Sequence, residues 1–103
     1  MLNKNEVRRT ASVLGTTLAY YEAGEHAERP PLVMLHGGGP GASSWSNFGP
    51  ALPGFAQHFR TLLVDQPGFG ASDKPPVKGN YFRHSADHVV ALLDVLGIER
   101  IHL

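Results

Sequence analysis

Leu32-Val33-Met34-Leu35-His36-Gly37-Gly38-Gly39-Pro40-Gly41-Ala42-Ser43-Ser44-Trp45-Ser46-Asn47 is where the reading of this chain starts. The apolar run Leu32 to Leu35 has the length and hydrophobicity of a buried strand. It breaks at His36 into three glycines, a proline and a fourth glycine, after which the residues suit a helix. Glycines crowded behind a strand let the backbone reach positive φ and come close to a ligand, because no Cβ stands in the way. Backbone N–H groups left free in such a loop can hold a developing negative charge.

Outward from this stretch, the segments alternate. Upstream, Val13, Leu14, Leu18, Tyr20 and Tyr21 flank Gly15-Thr16-Thr17, which predicts two antiparallel strands around a turn within residues 10–23. Residues 1–9 are polar and read as frayed, and 24–31 form a loop whose Pro30-Pro31 forces an extended entry into the next strand. Downstream, a helix is expected from Ser44 to about Leu52, interrupted by Pro53-Gly54, with a further helical turn over 55–59. Thr61-Leu62-Leu63-Val64 shows no alternation, as in a parallel strand covered on both faces. It runs into a turn-rich loop, Asp65-Gln66-Pro67-Gly68-Phe69-Gly70-Ala71-Ser72-Asp73-Lys74-Pro75-Pro76. From Ser85 to Leu96 the residues Ala86, Val89, Val90, Leu93 and Leu96 give one apolar helix face, and Gly97 is placed to end it. Ile98 can then make the apolar contact that follows a glycine cap. Ile101-His102-Leu103 reads as the start of a third parallel strand. This order predicts right-handed crossovers in an α/β architecture. A sheet that stops three residues into a strand leaves an apolar edge open, so the chain reads as the N-terminal part of a longer protein.

Bulk composition narrows the function classes. At 103 residues and 42% apolar, the chain is one domain or a piece of one, with enough apolar matter for a core. Nine basic residues balance nine acidic ones and are scattered, which argues against nucleic acid or an anionic membrane as partner. No cysteine is present, the N-terminus lacks an apolar signal region, and no apolar run approaches the roughly 20 residues a bilayer needs, so the expectation is a cytoplasmic protein.

The strand followed by His-Gly-Gly-Gly is the pattern of oxyanion loops in lipases and esterases. With Trp45, Asn47 and the block Asp65 to Pro75 in this order and spacing, the chain resembles the meta-cleavage product hydrolases of the α/β-hydrolase fold. Leu92 to Leu103 is similar to that family's approach to its nucleophile elbow, and the resemblance covers roughly residues 13–103. It implies a leading hairpin followed by parallel strands with crossover helices, cut before the elbow, so that 1–103 is an incomplete α/β-hydrolase domain. It also implies an enzyme that breaks a C–C bond in 2-hydroxy-6-oxo-dienoates of aromatic or steroid ring catabolism. Neither metal nor organic cofactor is implied. The partner is a small-molecule dienoate, and a homo-oligomer is compatible with the family. By the same resemblance the backbone N–H of Gly38 is an oxyanion donor, Gly39 contacts substrate, and Asn47 hydrogen-bonds it. No Gly-x-Ser-x-Gly occurs in the chain, and the family's later Asp and His are absent, so the chain alone is expected to be inactive.

Other readings compete. Other α/β-hydrolases (esterase, epoxide hydrolase, proline iminopeptidase-like) share the loop, and a non-catalytic remnant is the reading outside enzymology. Gly37-x-Gly39-x-x-Ala42 after a strand, with Asp65 ending the next, formally matches a dinucleotide fingerprint, although Pro40 sits inside the turn. No Gly-Lys-Ser/Thr is present, which excludes a P-loop. His84 and His88 stand four apart but lack the His-Glu-x-x-His pattern of a zinc helix. His36 suits a brace for the glycine loop, Asp65 a structural hydrogen-bonder, Ser43, Ser44, Ser46 and Ser72 capping or turn roles, and Trp45 packing beneath the loop. Asn47 could equally cap or line the start of its helix.

Overall fold

The computed structural model describes residues 4–24, 30–37, 42–74 and 79–101. In chain order these give α1 (Lys4–Val7), β1 (Arg8–Val13), β2 (Thr16–Ala23), β3 (Leu32–Leu35), α2 (Ser44–Phe48), a 3₁₀ turn (Gly49–Ala51), α3 (Leu52–Ala56), β4 (Thr61–Val64) and α4 (Tyr81–Val95). The strands form one sheet in the order β1-β2-β4-β3, with β1/β2 and β2/β4 antiparallel and β3/β4 parallel. The predicted hairpin and the parallel pair are both present. Residues 4–9 are not frayed: they make α1 and the start of β1. The hairpin turn is tighter than expected. Leu14 and Gly15 both hold positive φ, 51° and 74°, which is the two-residue turn whose twist matches antiparallel strands. Thr16 and Thr17 therefore belong to β2.

Side chains alternate across the sheet and build a core on each face. Leu18, Tyr20, Val33, Leu62 and Val64 pack against Val89, Leu92 and Ile98 on one side. Tyr21, Ala23 and Leu63 pack with Val7 and Leu52 on the other, backed by Met34, Trp45 and Phe48. Burial on both faces is why β4 reads as an unbroken apolar run.

The helices depart from expectation in three places. The break after Ser44 falls at Gly49-Pro50, not at Pro53-Gly54: Gly49 lies under the Trp45 ring, where a Cβ would stand 2.8 Å from it, and Pro53 sits in the first turn of α3, where its missing N–H costs nothing. α4 begins a turn earlier than Ser85, because the Asn80 side chain accepts from the Arg83 N–H as an N-cap. Its buried residues are Ser85, His88, Val89 and Leu92, whereas Ala86 and Val90 face solvent. Two polar side chains are accommodated on the inner face because each has a partner. The C-terminal end is as expected. Gly97 takes φ 72°, its N–H donates to the Asp94 carbonyl at 3.1 Å, and the Ile98 N–H donates to the Leu93 carbonyl at 2.9 Å, while Ile98 itself is buried. Ile101 is not in a strand, and 102–103 lie outside the described residues.

Candidate active site

Because β3 and β4 run parallel in register, Leu35 beside Val64, the residues that follow them emerge side by side. His36 and Gln66 are thereby brought together. The Gln66 backbone N–H donates to His36 Nε2 at 3.1 Å, and the Gln66 side-chain amide donates to the His36 carbonyl at 2.7 Å. A backbone N–H can only donate, so Nε2 is the acceptor and the ring proton sits on Nδ1. Nδ1 then donates to the Gly37 carbonyl at 2.7 Å. Both nitrogens of this buried imidazole are committed, and it packs edge-to-face with Phe69, 5.0 Å between ring centres. His36 braces the entry to the glycine loop at Gly37.

Asp65 is fully buried and acts as a junction. One carboxylate oxygen accepts from the Ser44 N–H and the Ser44 hydroxyl, both at 2.8 Å; the other accepts from the Ala71 N–H at 3.0 Å. Its carboxylate ties the start of α2 to the loop after β4. Gly70 lies directly against that carboxylate at φ 53°, and a Cβ there would overlap it. Ser72 continues the arrangement, donating to the Asp65 carbonyl at 2.6 Å and accepting from the Ala19 N–H at 2.8 Å. Asp73 does the same for Thr17, its N–H donating to the Thr17 carbonyl at 2.9 Å and its carboxylate accepting from the Thr17 N–H at 3.0 Å. The dinucleotide reading fails here, since the acid it needs for a ribose is buried and spent on the protein's own donors.

Ser43 caps α2, with Ser46 reciprocating in a capping box, so the cap is Ser43 and not Asn47. Asn47 is exposed on α2. Gly38 and Gly39 lie outside the described residues. Trp45 packs against Tyr21 at 5.2 Å between ring centres.

Beside the His36–Gln66 pair opens a cavity of about 450 Å³ lined by His36, Gly37, Gln66, Phe69, Tyr81 and Phe82. Its polar groups are turned inward on the protein: Tyr81 donates its hydroxyl to the Pro67 carbonyl at 2.6 Å, and burial holds its pKa above the ordinary 10.0. Among the described residues no group of three or more His, Cys, Asp or Glu could hold a metal ion. His88 donates from Nδ1 to the His84 carbonyl at 2.8 Å and sets Nε2 3.3 Å from the Thr16 hydroxyl, so its ring serves the packing of α4. Among the described residues, no helix is long and apolar enough to cross a membrane. Gln66, Phe69, Tyr81 and Ser85 were not among the residues that sequence reasoning singled out. Tyr81, at the first turn of a helix capped by Asn80, was the one with a local signal.

A family model for the alpha/beta hydrolase fold matches residues 30–103, across the strand, glycine loop and Asp65 junction just described. The chain belongs to that family. Among curated proteins it is similar to the 2-hydroxy-6-oxononadienedioate/2-hydroxy-6-oxononatrienedioate hydrolase 2 of Pseudomonas putida, 43% identical over 91 residues, covering 87% of this chain and 31% of the relative. It is also similar to the 2-hydroxy-6-oxo-6-phenylhexa-2,4-dienoate hydrolase of Comamonas testosteroni, 44% identical over 85 residues, 82% of this chain and 29% of the relative. A solved structure of the meta-cleavage product hydrolase CumD of Pseudomonas fluorescens IP01 superposes with TM-score 0.81 at 28% identity, covering 95% of this chain and 35% of that one. The chain thus spans about a third of the length of the relatives it matches.

Proposed function

We propose that the protein is a C–C bond hydrolase acting on 2-hydroxy-6-oxo-dienoates, the products of meta ring cleavage in aromatic or steroid catabolism, and that it works in the cytoplasm. The observation that carries this reading is the likeness to hydrolases named for such dienoates over more than four-fifths of the chain, at 43% and 44% identity. In the reaction, water adds across the bond between the distal carbonyl carbon and its neighbour in the chain. A 2-hydroxydienoate leaves with the proton, and the carbonyl carbon leaves as a carboxylic acid.

On this reading the chain supplies the electrostatic half of the site. The Gly38 N–H takes the negative charge that develops on the carbonyl oxygen, Gly39 and Asn47 contact the substrate, and the His36 brace keeps the loop in place. Preorganised donors of this kind contribute roughly 10²–10³ in rate each. These 103 residues hold no Gly-x-Ser-x-Gly, so the proposed reaction needs a nucleophile, acid and His that they do not supply. The test is the loss of dienoate absorbance on adding the native protein, against release of p-nitrophenol from a simple ester. Preference for the dienoate supports the reading, whereas ester hydrolysis with the dienoate untouched sinks it. The 103-residue chain by itself turns over neither substrate.

A further inference from the structure

We propose that Gln66 is a positioning residue, which acts through His36 on the Gly37 carbonyl and is itself oriented by Ser85 on α4. Three contacts carry this. The Ser85 hydroxyl donates to Gln66 Oε1 at 2.8 Å, which leaves Gln66 Nε2 facing the His36 carbonyl at 2.7 Å. The Gln66 backbone N–H meets His36 Nε2 at 3.1 Å, and this bond selects the tautomer in which Nδ1 donates to the Gly37 carbonyl. With Ser85 as donor, the amide is held in one of its two orientations. A flipped amide would set oxygen against the His36 carbonyl oxygen, and the two acceptors would repel.

The consequence follows from peptide geometry. The Gly37 carbonyl shares its planar unit with the next amide, and in a trans unit the C=O and N–H point in opposite directions. A group that fixes the carbonyl therefore sets where the amide aims. Gln66 thus links the far helix, through one imidazole, to the Gly37 carbonyl at the entry to the loop that the proposed function uses for its oxyanion donor. The catalytic part of this inference rests on that function; the tautomer and the linkage do not.

The experiment is ¹⁵N NMR of the imidazole together with amide hydrogen exchange, on native protein and on Gln66→Leu. The wild type should show His36 as a single Nδ1–H tautomer. Gln66→Leu keeps the backbone N–H but loses the side-chain bond that seats it against His36, so it should show mixed tautomers and exchange at the residue-66 amide at least ~10-fold faster, with β4 amides within about threefold. Ser85→Ala, which leaves the His36 contacts in place, should give a smaller change of the same kind, and it decides the matter if Gln66→Leu does not fold. An unaltered tautomer and unaltered exchange at residue 66 in the variant that folds overturn the proposal. In turnover of the dienoate, Gln66→Leu should lower kcat by ~10–10²-fold with KM within about twofold, the size expected for displacing a positioned group. A raised KM with kcat intact overturns the catalytic part. Absence of dienoate turnover in the wild type refutes the function, while the NMR result still judges the linkage.

Discussion

Replacing Asp65 by Asn changes one atom of a buried junction, and the geometry says what it should cost. The bond from the Ser44 N–H, at 2.8 Å, requires an oxygen, so the new carbonyl must face Ser44 and the new NH₂ must face the Ala71 N–H. Two donors then confront each other, and an orphaned buried N–H costs about 1–3 kcal/mol. The Ser44 bonds survive but lose their charge assistance, about 1 kcal/mol each. Relief from burying a charge offsets part of this, leaving a net loss of ~2–4 kcal/mol. Turning the amide over is no escape, because the Ser44 N–H would then be the orphan. In urea denaturation followed by circular dichroism, with a slope near 2 kcal/mol per molar, the midpoint should fall by roughly 1–2 M. Asp73→Asn is the control. Among the described residues its carboxylate accepts from the Thr17 N–H at 3.0 Å alone, and it is exposed, so an amide oxygen can replace it for less than about 1 kcal/mol. If the two variants shift the midpoint equally, the account of Asp65 as a three-donor junction is wrong.

Three further outcomes are expected. Gly70→Ala should destabilise by about 2–4 kcal/mol, from strain at positive φ and overlap with the Asp65 carboxylate. Gly68→Ala, at φ 91° with open space around it, should cost only the strain of about 1–2 kcal/mol, so near-equal thermal midpoints would contradict the close approach. Gly97→Ala should cost about 1 kcal/mol through the helix cap alone, with the dichroism spectrum preserved; no loss of thermal midpoint would mean the cap contributes nothing. The Tyr21 phenol is raised above 10.0, chiefly by burial and secondarily by the Asp65 charge, so the folded state holds that proton longer than the unfolded chain does. The stability this gives is fully present below about pH 10 and is lost as pH rises through the raised value. Urea midpoints at about pH 9 and about pH 11 should therefore diverge in the wild type and less so in Tyr21→Phe; equal slopes would remove Tyr21 as the cause.

The parallel strands β3 and β4 were legible because each is an apolar run cut off by a residue that cannot continue it, and their bounds agree with the structure. The leading hairpin was legible as a pair of strands, and only its turn was misplaced. α4 was harder. Its first turn, Tyr81-Phe82-Arg83-His84, has no apolar period, and the Asn80 cap was the available signal. Its buried face was right at Val89, Leu93 and Leu96, which pack on the core, and wrong at Ala86 and Val90 for a chemical reason: Ser85 and His88 point inward with partners, so a rule that equates buried with apolar looks one step around the helix. At the site, His36 and Asp65 could be given structural roles from their neighbours in sequence. Gln66 and Ser85 could not, since they lie nineteen positions apart and their contact exists only once α4 has docked on the sheet.

The loop after β4 closes the hydrogen bonds of Thr17 and Ala19 on β2, using Ser72 and Asp73 where a strand would otherwise be. It is therefore held to a measured length. An ordinary surface connection tolerates added residues because its ends are its only fixed points. Here Asp65, Ala71, Ser72 and Asp73 are each tied to a different partner, so one inserted residue moves a donor or acceptor off its mate. Length variation among homologous chains should accordingly be absent between Asp65 and Asp73 and free to appear on either side of that span.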